Sequence, residues 1–203
     1  MKTKARHSDA QGIEALLYQL LETELGGVQV YQAALHCAIN EDLRDEWKKY
    51  LSETKHHVEI ARSLLEEFGL DPDAEVPARL PVRNIGLALV DAMAVAREGS
   101  SAEVAQLTAA ECVVEAETKD HMNWELVGAL AEKAELTGKK ALKAAHEQVE
   151  KQEDNHLHHT GVWARELWAE SLGLPAVLPP EQTDQVEGAS ITALAKARRK
   201  DIV

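Results

Sequence analysis

The chain has 203 residues, 45% of them apolar and 28% charged, and 35 acidic against 22 basic side chains leave a net charge of −13. Such a surface repels phosphate backbones and disfavours nucleic acid as a partner. The longest nearly apolar run, Ile85 to Ala96, is broken by Asp91 and falls far short of the roughly 20 residues that span a bilayer. Two cysteines without Cys-x-x-Cys spacing exclude a disulfide scaffold and a rubredoxin-type iron site, and the polar Met1–Gly12 stretch does not read as a secretory signal, so a cytoplasmic setting is expected.

Ala, Glu, Leu and Lys dominate and aromatics are few, a mixture that favours helix over sheet. The first predicted helix runs from about Asp9 to Ile39, with a stripe of Ile13, Leu17, Leu20, Val28, Tyr31, Leu35 and Ala38. After the polar turn Asn40–Asp42, a second helix is predicted from about Leu43 to Phe68, capped by Gly69 with Pro72 beyond. Pro72, Pro77 and Pro81 make residues 70–83 an expected irregular connection, followed by a short helix from Asn84 to Glu98. Ser100 with Glu103 reads as a capping box for a long helix reaching about Glu135. Thr137 and Gly138 punctuate the chain before a last helix from about Lys139 to Leu172. Beyond it, residues 174–203 form a tail expected to be partly helical or extended, with one weak helix near Ile191 to Lys200.

Two antiparallel hairpins joined by one long crossover, residues 69–100, define an all-α four-helix bundle over residues 1–173. Both hairpins close alike, on Gly69-Leu70-Asp71-Pro72 and Gly173-Leu174-Pro175, so an internal duplication is the economical reading.

The informative residues are acids placed where a core residue should be. Glu24 falls between Leu20 and Val28 on the first stripe, and Glu117 among Leu107, Val113, Val114 and Trp124 on the third. The second and fourth helices each carry Glu-x-x-His: Glu53 with His56, and Glu153 with His156. Residues three apart on a helix point the same way, so one carboxylate and one imidazole can reach one ion. Chance alone gives about one such motif in a chain of this composition, so the weight lies in their placement, one on the second helix of each hairpin. The hairpin arms, 29 residues from Glu24 to Glu53 and 36 from Glu117 to Glu153, differ by about one turn per helix, which predicts that the acids meet at one level. Four buried carboxylates repel one another unless cations sit between them.

On Glu24, Glu53-x-x-His56, Glu117 and Glu153-x-x-His156, the chain resembles the ferritin-like superfamily of di-iron or di-manganese carboxylate proteins. The resemblance covers roughly residues 9–172. It implies metal-binding roles for those six residues and two iron ions as cofactor, with manganese or a mixed iron–manganese pair as alternatives. Glu53 with His56 then holds one ion, Glu153 with His156 the other, and Glu24 and Glu117 complete or bridge the pair. Tyr31, seven residues after Glu24, matches a tyrosine found near the metals in ferritins and bacterioferritins and is the candidate electron donor. The implied activity is oxidation of Fe(II) or reduction of O2 or peroxide. Alternatives are a di-manganese catalase-like enzyme, a di-iron oxygenase on an organic substrate, and a non-catalytic helical stress or interaction protein with a structural metal site. A homodimer is compatible with the chain, although no interface stripe stands out.

Glu22 and Glu115, two residues before Glu24 and Glu117, are rival ligands on more polar faces. His121 and His146 are candidates for an additional metal contact or for hydrogen bonding behind the ligands, and His146 for lining an access path. His57, His158 and His159 read as surface residues or outer supports. Trp124 occupies the place equivalent to Tyr31. Gly26 and Gly27, unfavourable inside a helix by about 1 kcal/mol each, predict a close neighbouring helix, a distortion or a channel beside Glu24. Cys37 and Cys112 read as small buried hydrophobes.

Overall fold

The computed structural model describes residues 2–133 and 137–175. They form five helices and, among the described residues, no strand: α1 (Lys2–Cys37), α2 (Glu41–Glu67), α3 (Arg79–Gly99), α4 (Ala102–Ala131) and α5 (Lys139–Ser171). The weak helix expected near Ile191 lies outside the described residues. None of the described helices is long and apolar enough to cross a membrane.

Local chemistry sets the helix ends. Asn40 caps α2 by accepting the Leu43 N–H at 3.0 Å. Gly69 and Gly173 both take left-handed backbone (φ +71° and +65°). In each, the glycine N–H and the next leucine's N–H bond back to the helix: Gly69 to Glu66 O and Leu70 to Leu65 O, Gly173 to Glu170 O and Leu174 to Ala169 O. These are identical Schellman closures. Three expectations need correction, the first being the start of α1, which lies at Lys2 rather than about Asp9. The cap of α4 is Ser101, whose extended backbone lets its Oγ accept the Val104 N–H, whereas the Ser100 hydroxyl turns back to Ala96 O. The crossover helix starts at Arg79, five residues before Asn84, because Pro81 sits in its first turn, where a missing N–H has no intrahelical partner to lose.

Packing runs from α1 to α2, α2 to α5, α5 to α4 and α4 back to α1, and α3 lies against α1 and α4. Contact pairs fix the directions. Glu46–Trp163, Tyr50–His159, Glu53–His156 and His57–Gln152 make α2 and α5 antiparallel. Thr23–Asn123 and Ile39–Gln106 do the same for α1 and α4. Against α3, numbers rise together: Glu22–Arg79, Gly26–Gly86 and Cys37–Met93. So α3 carries the chain back along α1, and α4 enters at the far end.

Gly26 makes room for α3: a Cβ built on Gly86 would stand 3.5 Å from Gly26 Cα. Gly27 faces α2, where a Cβ would meet Thr54 Cγ2 at 3.2 Å. The close-neighbour expectation therefore describes both glycines, with α3 the partner for the first. Cys37 and Cys112 are buried, as expected.

The core comes in two apolar clusters. One gathers Tyr31, Leu43, Trp47, Tyr50, Met93 and Val113, the other Leu17, Leu20, Leu65, Trp124, Val127 and Leu142. Full burial of each such side chain stabilises the fold by about 1.5–3 kcal/mol. Between the clusters the core turns polar.

Candidate metal centre

Four helices contribute to that polar layer. Glu24 comes from α1, Glu53 and His57 from α2, Glu117 and Asp120 from α4, Glu153 and His156 from α5. Apart from Glu53, all are buried, Glu24, His57 and His156 completely. Two groups have ligand atoms within 4.8 Å of one another: Glu24 with His57 and Glu153, and Glu117 with Glu153 and His156. Glu153 belongs to both. The antiparallel register sets Glu24 opposite Trp124 and Glu117 opposite Tyr31, about two turns apart along the axis. The expected single level is thus a stagger, and the long glutamate side chains close the gap towards Glu153.

Both imidazoles turn Nδ1 into the cluster and anchor Nε2 behind them. His57 Nε2 lies 2.7 Å from Gln152 Oε1, and Gln152 Nε2 donates to Glu53 Oε1 at 3.3 Å. That amide orientation makes Gln152 Oε1 the acceptor, so His57 carries its proton on Nε2 and keeps a lone pair on Nδ1. His156 Nε2 lies 2.9 Å from Glu53 Oε2, while its Nδ1 faces Glu117 and Glu153 at 3.5 Å each. The Tyr50 ring packs 4.1 Å from the His156 ring, centre to centre, and its hydroxyl lies 2.6 Å from His159 Nδ1. His159 in turn faces Glu46, which accepts from Trp163 Nε1.

Polar atoms turned inward lack hydrogen-bond partners. They are Glu24 Oε2, His57 Nδ1, Glu117 Oε2, Asp120 Oδ1, both oxygens of Glu153, and His156 Nδ1. His57 Nδ1 and Glu153 Oε1 approach to 3.0 Å, yet not in hydrogen-bonding geometry. Orphaned buried groups are rare in a folded protein, and these seven share one centre, whereas Glu46 Oε1, Trp47 Nε1 and His158 Nε2 are orphaned elsewhere. Carboxylate oxygens with imidazole nitrogens are the donor set of first-row divalent cations, and the orphaned oxygen and nitrogen atoms face one another as ligands around cations do.

Charge crowding without a cation is visible in the proton affinities. Burial, reinforced by the Glu117 charge, raises the Glu153 carboxyl to about 8. Glu24 and Asp120 are raised well above the carboxylate range, chiefly by burial and then by neighbouring acids. Burial opposes charging of His156, but Glu117, Glu53 and Glu153 outweigh it and lift the ring to about 10. Burial lowers His57, which stays neutral. Tyr31 is pushed up by burial and by Glu117, which its hydroxyl faces.

Of the six residues singled out from the sequence, Glu24, Glu117, Glu153 and His156 meet in this layer. Glu53 stands at its edge, bound to His156, with a side chain 20% exposed. His56 does not take part: it is exposed and lines a surface groove with Glu59 and Gln148. Its place is taken by His57, because the buried stripe of α2 runs Trp47, Tyr50, Thr54, His57, Ala61 and Leu65. The Glu-x-x-His spacing put the face one residue out: Ile60, four residues after His56, is only half-buried, whereas Ala61, four after His57, is buried. Asp120 and Gln152 also belong here: Asp120 follows Glu117 by three, the spacing that puts two residues on one face, and Gln152, just before Glu153, reaches His57.

Glu22 is not beside the cluster. It binds Arg79 at 2.5 Å and Arg83 at 2.6 Å, and so fastens α3 to α1. Glu115 is exposed. His121 and His146 lie outside the layer, in a small pocket that reaches Glu153. Trp124 donates from Nε1 to Glu24 Oε1 at 2.7 Å. No family model, curated protein or solved structure matches this chain.

Proposed function

We propose that the chain is a dinuclear metal–carboxylate redox protein with a ferritin-like four-helix bundle, holding two iron ions and acting on Fe(II), O2 or peroxide. The observation that carries this reading is Glu153: almost fully buried, unpartnered at both oxygens, and common to two three-residue donor groups. Glu24, His57 and Glu153 would hold one ion, and Glu117, His156 and Glu153 the other, with Asp120 beside Glu24. When bound there, a pair of such ions would give electrons to O2 or peroxide as they are oxidised and take electrons from a reductant such as Fe(II) as they are reduced.

The protein's own part follows from its side chains. The two apolar clusters exclude water from either end of the layer. Gln152 and Glu53 fix the tautomer and tilt of the two imidazoles, as partners behind metal-binding histidines do. Glu53, partly exposed, can pass a proton between solvent and His156 Nε2. The pocket that reaches Glu153 has a volume of about 110 Å³, which suits molecules of the size of water, O2 or peroxide rather than an organic substrate.

The test is anaerobic titration of metal-free protein with Fe(II), followed by admission of O2. Two ions per chain and a ligand-to-metal absorption band are expected. His57→Ala and Glu153→Gln should lose the band, while His56→Ala should behave as wild type. No uptake by the wild-type chain, or dependence on His56 rather than His57, refutes the reading.

A further inference from the structure

Where α4 and α5 pack against each other, the pocket of about 110 Å³ opens from the surface towards Glu153. Its walls carry two imidazoles, three surface carboxylates, the Trp124 ring and, at the inner end, Glu153. His121 places Nδ1 3.6 Å from Asp154 and Nε2 3.5 Å from Glu125, and His146 places Nδ1 3.6 Å from Glu150. These separations are longer than hydrogen bonds, so neither imidazole is locked to its carboxylate, and no three of these surface donors come within 4.8 Å of one another, so they would hold a cation partly through its waters. The three carboxylates are largely exposed, and both imidazoles are about one-fifth to one-quarter exposed.

Two further observations mark this as a built feature. The first is Gly128, in the interior of α4. A Cβ there would lie 2.5 Å from His146 Nε2, so the imidazole rests against bare backbone. A glycine inside a helix costs about 1 kcal/mol relative to alanine, and here that cost seats the His146 ring. The second is Glu153 itself. It lines the pocket from within, is 1% exposed, and has no hydrogen-bond partner on either oxygen. A surface cluster of imidazole and carboxylate therefore continues, without an intervening side chain outside the lining, into an unpartnered buried acid.

We infer that this pocket is a separate docking site for one partly hydrated divalent cation of the first transition row, through which Glu153 is loaded. The volume admits a cation with about three waters, at roughly 30 Å³ per water. Imidazole with carboxylate suits Mn(II), Fe(II) or Co(II), and the chain's net charge of −13 draws cations towards it. Transfer is ligand exchange: water leaves the cation as a Glu153 oxygen binds, the proton on that carboxyl is released to solvent, and no electron moves. The destination rests on the function proposed above; the docking pocket has its own residues.

Mn(II) uptake by metal-free protein tests it, followed by the loss of the free-ion EPR signal after rapid mixing and counted again at equilibrium. Four proteins are compared: wild type, the double variant His121→Gln/His146→Gln, Asp154→Asn, and Glu153→Gln. The double variant should load at least tenfold more slowly and Asp154→Asn about threefold more slowly, both reaching the wild-type final count of core ions. Glu153→Gln should lose the core ions. A double variant that loads at the wild-type rate overturns the docking site while leaving the core reading intact, provided Glu153→Gln still abolishes uptake. A reduced final count in the double variant also overturns it, by making the two histidines core ligands. Absence of uptake by wild type overturns both readings. If the double variant does not fold, the exposed substitution Asp154→Asn decides alone: slowed loading supports the site and an unchanged rate overturns it.

Discussion

Raising the pH of the metal-free protein from 7 to 8 should destabilise it, against the common behaviour of acidic proteins, and the size of the effect follows from the buried layer. Between these values an unfolded Glu153, with an ordinary carboxyl affinity, is ionised, whereas the folded one holds its proton up to about 8. An unfolded His156 is mostly neutral, whereas the folded one keeps its charge up to about 10. The native state thus binds more protons than the unfolded state, and stability falls as pH rises. His57, lowered by burial, is neutral in both states above pH 7 and contributes nothing. Each retained proton is worth about 1.4 kcal/mol per pH unit. Because Glu153 itself begins to ionise in this window, the two groups together give roughly 2 kcal/mol. Glu24 and Asp120 act in the same direction, so the two-group figure is a minimum. At about 2–4 °C per kcal/mol for a chain of this size, Tm should drop by about 4–8 °C. Calorimetry of chelator-treated protein at the two pH values measures it. Saturating Mn(II) should displace the protons, reduce the pH dependence, and add about 2.7 kcal/mol at one hundred times Kd. Glu153→Gln should raise the Tm of metal-free protein at pH 8 and abolish the gain on adding Mn(II). A Tm that stays level or rises from pH 7 to 8, or a Glu153→Gln variant less stable than wild type when metal-free, refutes the reasoning.

Other parts of the molecule give independent predictions. Glu22→Gln strands the buried Arg79 guanidinium, which retains only the carbonyls of Pro72 and Ala74 beyond that residue. A loss of about 3 kcal/mol in chemical denaturation is expected, with the count of bound ions unchanged. Gly138→Ala combines a φ of +86° with a Cβ placed 2.6 Å from the Phe68 ring, and should cost about 1–3 kcal/mol. Gly161→Ala, inside α5 with nothing within 4 Å, should instead gain about 0.5–1 kcal/mol; comparing the two melting curves separates a required glycine from a dispensable one.

Helix identity and most helix ends were legible in the chain because they depend on neighbours in sequence. Asn40, Gly69 and Gly173 act on backbone groups within a turn of themselves, and the structure uses each as the residue order predicts. Pro81 misled because a proline that breaks a helix interior is harmless in a first turn, and position within an element is not written locally. Glu24, Glu117, Glu153 and His156 stood out as acids and an imidazole on apolar stripes, where a charge demands a partner. His56 and His57 were harder to separate. Adjacent residues on a helix differ by about 100° of rotation, and only the packing of α2 against α1 and α5 decides which ring faces inward.

The amino-acid order by itself determined that the described residues are helical and that acids lie in their interior, since propensity, capping and amphipathic period act over a few residues. Tertiary packing alone decided that α1 and α4 run antiparallel with a stagger, that α3 clamps Glu22 through two arginines, and that Gln152 holds His57 for Glu153. Those relations join side chains up to about a hundred residues apart, and their geometry depends on how whole helices slide and rotate against one another.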